Sequence, residues 1–113
     1  MALEFSPASI TLTESNPASV SAFRVRAKQV GSGNVLQDQT FPASGASVTV
    51  IDLSVGFFDV ADNGASVFFT VQEQGPGGWG PEQTKMLPDG SAAEVYQVVA
   101  AAPNGAEDIQ VTV

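Results

Sequence analysis

The chain contains neither cysteine nor histidine. Without a thiol there is no disulfide framework and no thiolate metal site, so a small domain must draw its stability from its core or from partners. Without an imidazole, neither a Ser-His-Asp nor a Cys-His arrangement can be assembled, and zinc sites of the usual ligand types are excluded. Positive charge is nearly as scarce. Four Lys and Arg face twelve Asp and Glu, a net charge of −8, whose field repels phosphate backbones and anionic lipid and removes nucleic acid from the expected partners. No apolar run approaches the roughly 18 residues of a membrane span, and "MALEFSPASITLTES" lacks the basic start and apolar stretch of a signal peptide. The expectation is therefore no membrane contact and a cytosolic chain at synthesis. No Asn-x-Ser/Thr sequon is present either.

What is there is a core-forming composition. Of the 113 residues, 43% are hydrophobic and only 14% charged, so the chain is expected to fold as a single domain over residues 1–113. Apolar and polar residues alternate with period two, and each run ends in turn residues, as in antiparallel strands with one buried face. In "SAFRVRAKQV", Phe23, Val25 and Ala27 share one face while Arg24, Arg26 and Lys28 share the other. "GSGN" at 31–34 is a hairpin loop into "VLQDQTF". "ASVTVIDL" and "GFFDV" read as strands, followed by a turn at "ADNG", residues 61–64. "SVFFTVQEQ" is apolar on both faces and is expected to be central or covered at an interface. "PDG" at 88–90 is a strong turn signal. Beyond it, "EVYQVV" is β-branched and aromatic and reads as strand, with "PNGA" leading into the alternating "IQVTV" as a closing hairpin. The alternative is a short helix over 91–102, because Ser91 and Glu94 have capping-box spacing. About eight short strands without a sustained helix predict an all-β, antiparallel β-sandwich built as a meander.

The stretch "DNGASVFFTVQEQGPGGWGPEQ" resembles the second half of a fibronectin type III or related Ig-like module. There, a turn leads into an aromatic-x-Val strand and a glycine-rich loop precedes the last strand. The resemblance covers roughly residues 20–87, lacks the tryptophan usual in an early strand, and leaves about 25 residues past the expected end. It implies a non-catalytic module of the kind found on cell surfaces and in the tails and capsid decorations of tailed phages. No cofactor is implied.

Carboxylates are the remaining candidates for chemistry. Asp59 and Asp62 have part of the spacing of a calcium loop, yet Ala61 and Thr70 stand where two ligands belong, so an Asx turn is the expected reading. Two acids on a concave face could serve as a glycosidase pair, but nothing near them signals a desolvating pocket. Two features point to partners. Arg24, Arg26 and Lys28 hold three of the four positive charges on one strand face, either paired with acids such as Asp38 on the next strand or offered to an acidic partner, including a second copy. Trp79, the single tryptophan, sits in "GPGGWGP" with Gly77, Gly78 and Pro81. Either the loop folds back and lays the indole over the end of the core, or Trp79 is an exposed anchor. Four glycines in six residues are costly to order, which favours a loop completed by a partner. The expected role is a virion component such as a capsid decoration (cement) protein, contacting capsid or tail proteins. The alternative is a carbohydrate- or ligand-binding adhesion module outside the cell, with Trp79 as stacking platform.

Overall fold

The fold is taken from a computed structural model that describes residues 9–53 and 56–98, and residues 2–5 by their backbone alone. Nine strands are found among the described residues: β1 (Ala2–Phe5), β2 (Ser9–Thr13), β3 (Ala22–Gln29), β4 (Val35–Pro42), β5 (Val48–Asp52), β6 (Ser66–Gly75), β7 (Gly78–Trp79), β8 (Gln83–Thr84) and β9 (Val95–Val98). The all-β expectation holds. The larger sheet has the order β1-β9-β6-β3-β4, with β7 and β8 also on β6, and β2 and β5 form a second, two-stranded sheet.

Pairing on β6 is lopsided. Eight of its ten residues are matched on one side by β3, from Ala22↔Gln74 to Gln29↔Val67. The other side is shared by three short pieces: β9 at Ser66 and Val67, β8 at Thr70 and Val71, and β7 at Gln74 and Gly75. The meander expectation is corrected by this topology. Sequential neighbours β3 and β4 do form a hairpin, but β5 leaves for the second sheet and β6 returns beside β3. Moreover, β1 lies parallel to β9.

The core lies between the sheets. Ile10 of β2 and Ile51 of β5 meet Phe23, Val25 and Ala27 of β3, Val67, Phe69 and Val71 of β6, and Val98 of β9. Alternation places these residues on one face as the sequence requires. "GFFDV" is not a strand: residues 56–58 form a bend and Val60–Asp62 a 3-10 turn. The reason lies in adjacent aromatics that both turn inward, which a pleated strand forbids. Phe57 meets Phe58 edge-on at 4.9 Å, and Phe58 meets Phe69 at 6.2 Å. The "GSGN" and "PDG" turns form as expected, with Gly31, Gly33 and Gly90 at positive φ. Residues 95–98 are strand rather than helix. The expected hairpin through "PNGA" to "IQVTV" lies outside the described residues.

Candidate functional site: the outer face of the large sheet

The face of β3 and β6 turned away from the core is built from Arg24, Arg26 and Lys28 opposite Gln72, Thr70 and Phe68. On the next strand, β4, Asp38 is the cross-strand partner of Arg26. The Arg26 Nε–H donates to Asp38 Oδ2 at 2.9 Å, and its Nη1 donates to Gln72 Oε1 and Glu82 Oε2, both at 2.9 Å. Lys28 Nζ donates to the other oxygen of Glu82. Arg24 Nε lies 3.9 Å from Asp38 Oδ1. One guanidinium thus bridges acids arriving from β4 and from the stretch just before β8.

The charges answer one another. Asp38 first, then Glu82, raises the pKa of Arg26, while Lys28 first, then Arg26, holds the Glu82 carboxyl below its ordinary value. The basic stripe is less open than expected: side-chain exposure is 26% for Arg24, 22% for Arg26 and 20% for Lys28. Their head groups are engaged by Asp38 and Glu82, and that of Arg24 also by the Trp79 ring. Pairing with Asp38 was legible in the sequence; Glu82 was not, because 54 residues separate it from Lys28.

Trp79 completes this face. "QGPGGW" is not an open loop but a tight hairpin: Gly75 pairs with Gly78 and Gln74 with Trp79, around Pro76 and Gly77. Gly78 takes φ +106, a conformation L side chains rarely adopt. A Cβ on Gly75 would stand 3.0 Å from the Ser19 carbonyl oxygen. Gly75 and Gly78 are therefore explained by local geometry, which weakens the argument that such a stretch needs a partner to be ordered.

Pairing with Gln74 puts the indole on the outer face, where the Arg24 guanidinium carbon sits 4.2 Å from the ring centroid. The ring is half-buried and is not a member of the core cluster. Gly77, Gly78 and Pro81 are exposed beside it. Below the hairpin, Ala18 to Ser21 with Gly75 and Pro76 line an open notch of about 220 Å³.

The described acids are occupied by local structure and by one another. Asp59 and Asp62 cap the 3-10 turn reciprocally and both accept from Gln37 Nε2. The neighbouring carboxyls of Glu14 and Glu73 act on each other, which raises the Glu73 pKa and lowers that of Glu14. Among the described residues no group of three or more acids could hold a metal ion.

No family model, no curated protein and no solved structure matches this chain.

Proposed function

We propose that the domain is a non-catalytic binding and assembly module whose contact surface is the Trp79 hairpin with the Arg24–Arg26–Lys28 face beside it. The observation that carries this reading is the placement of Trp79. The largest apolar side chain is held outside the core, on a tight two-strand turn, with a guanidinium at 4.2 Å. An aromatic and an arginine stacked at a surface are the residue types that dominate protein-protein hot spots. The partner is another protein; the resemblance to Ig-like phage modules favours a capsid or tail protein, making the chain a virion component such as a decoration protein.

The test has two arms. Mass spectrometry of purified virions is expected to find the chain at stoichiometric levels. Trp79→Ala is expected to stay folded and to lose at least tenfold in retention on the particle. A chain absent from virions sinks the phage assignment, and undiminished retention of the folded variant sinks the site.

A second reading draws on the same ring. An indole backed by a guanidinium, with the amides of Gln72 and Gln74 on the same face, has the chemistry of a sugar-stacking platform, as an extracellular adhesion module would need. Quenching or shift of Trp79 emission by oligosaccharides would support it, and an unchanged spectrum would remove it.

A further inference from the structure

Between Trp79 and β8 the chain carries one residue more than the stretch of β6 it lies against. Trp79 pairs with Gln74 and Gln83 with Val71, so the three residues Gly80, Pro81 and Glu82 stand opposite the two residues Gln72 and Glu73. Such a mismatch is a β-bulge, which interrupts the alternation of a strand and re-aims a side chain. Here it decides a face. Thr84 pairs with Thr70, which is in register with Arg26, so Thr84 and, two residues earlier, Glu82 belong to the outer face. Trp79 stands five residues before Thr84, an odd spacing that would send the indole to the opposite face of a regular strand. The bulge removes that conflict and lets Trp79 and Glu82 share the outer face with Arg24 and Arg26.

Side chains hold the bulge in place. The Gly80 N–H donates to the Glu73 carbonyl at 2.7 Å, but Pro81 has no N–H to give. Gln72, directly across, donates from Nε2 to the Gly80 carbonyl at 3.2 Å and accepts on Oε1 from Arg26 Nη1 at 2.9 Å. Only an amide offers both a donor and an acceptor in this way; a carboxylate in its place could not donate to Gly80. The same Arg26 nitrogen donates to Glu82 Oε2 at 2.9 Å, and Lys28 Nζ to the other oxygen of that carboxylate. These contacts close a circuit from Arg26 to Gln72, from Gln72 to Gly80, along the chain to Glu82, and back to Arg26. It grips the chain on both sides of Pro81. Gly80 follows Trp79 directly, so fixing Gly80 fixes the backbone from which the indole projects.

We propose that Arg26 and Gln72 are positioning residues for Trp79: they lock the bulge at Gly80–Glu82 and so present the indole, with Arg24 against it, to a protein partner. This role rests on the reading of Trp79 as the contact residue and adds what sets its aim. Without the lock the bulge is free to move along the strand, and a one-residue shift past Trp79 turns the ring away from Arg24. The basic stripe thus divides its work, Arg24 lying on the ring while Arg26 holds the chain that carries it.

The test uses the full chain. Gln72→Met removes both hydrogen bonds of that side chain at nearly constant length and leaves Trp79 and Arg24 in place. The variant is expected to keep its far-ultraviolet circular dichroism. Its Gly80 amide is expected to exchange at least tenfold faster while β3 stays protected, and acrylamide quenching of Trp79 emission is expected to change at least twofold. A loss of packing alone would lower stability without moving either signal. Arg26→Gln removes the other end of the circuit and is expected to give the same two shifts, which decides the matter should Gln72→Met fail to fold. A folded variant with native Gly80 exchange and native Trp79 quenching overturns the lock. Retention on the purified particle, measured on the same variants, is expected to fall at least tenfold. Shifted Trp79 signals with undiminished retention would leave the lock standing and overturn the contact reading on which it rests, so the two fail separately.

Discussion

The two faces of β3 and β6 share one backbone and are held by different physics. Inward, Phe23, Val25, Ala27, Val67 and Phe69 are each no more than 2% exposed and are held by volume and exclusion of water. Outward, Arg26, Lys28 and Gln72 are held by a lattice of charge-assisted hydrogen bonds, and Arg24 by an ion pair with Asp38 and its contact with Trp79, on a face that stays partly wet. The inner face tolerates almost no change of shape. The outer face tolerates such change but is sensitive to charge, salt and pH. Its partial wetting is also what leaves it available to a partner.

The largest effect should come from the inner face. Phe23→Ala is expected to cost about 3–5 kcal/mol, measured by denaturant unfolding, since Phe23 is among the largest fully buried side chains. A cost below that of Trp79→Ala would mean that the two faces are assigned the wrong way round. Trp79→Ala removes a half-buried ring and one cation-π contact, for an expected loss of roughly 1–2 kcal/mol. Because Trp79 is the single tryptophan, its emission reports Arg24 directly. Arg24→Ala should shift that emission, and a spectrum insensitive to the change would place the guanidinium off the ring.

The legibility of the sequence divides along the same line. Alternation in "FRVRAK" assigns every side chain of β3 to its face, because a period of two leaves no freedom once one residue is placed. Turns with glycine at a required positive φ, such as Gly33 and Gly90, are equally local and equally legible. The illegible features are non-local. Glu82 reaches Lys28 only after β8 has paired with β6, and no spacing rule spans 54 residues. The parallel match of β1 to β9 joins opposite ends of the chain. "GPGGW" misleads for another reason. Its glycine richness reads as looseness, whereas a close carbonyl at Gly75 and a positive φ at Gly78 are what disfavour a side chain there.

One change on the outer face should act in the opposite direction. Thr70 is 1% exposed, and its hydroxyl has no hydrogen-bond partner among the described residues. It sits on β6 between Arg26 and Thr84 in register. An unpaired buried hydroxyl costs about 1–3 kcal/mol in lost hydration. Thr70→Val removes the hydroxyl at nearly constant shape and is expected to stabilise by about 1 kcal/mol. A lower unfolding midpoint would show that the hydroxyl is satisfied by water, and the outer face would then be wetter than its contacts imply.

The smallest effect separates the faces most cleanly, because only the outer one titrates. Glu82→Gln removes the charge that Arg26 and Lys28 share, and exposed pairs of this kind contribute about 0.2–1 kcal/mol each. Lys28 and Arg26 hold the folded Glu82 carboxyl below the roughly 4.3 of an unfolded chain. Its contribution is therefore fully present above about pH 4.3 and is lost as pH falls through the lower, folded value. The amide has nothing to lose there. The gap between native and Glu82→Gln unfolding free energies should be largest near neutral pH, shrink with added salt, and close as the solution is acidified below about pH 4. Phe23→Ala, in contrast, should show a gap that is constant with pH and salt. A Glu82→Gln gap that stays constant from neutral pH into acid would mean that Glu82 acts by shape rather than by charge, and the division between the two faces would fail at that residue.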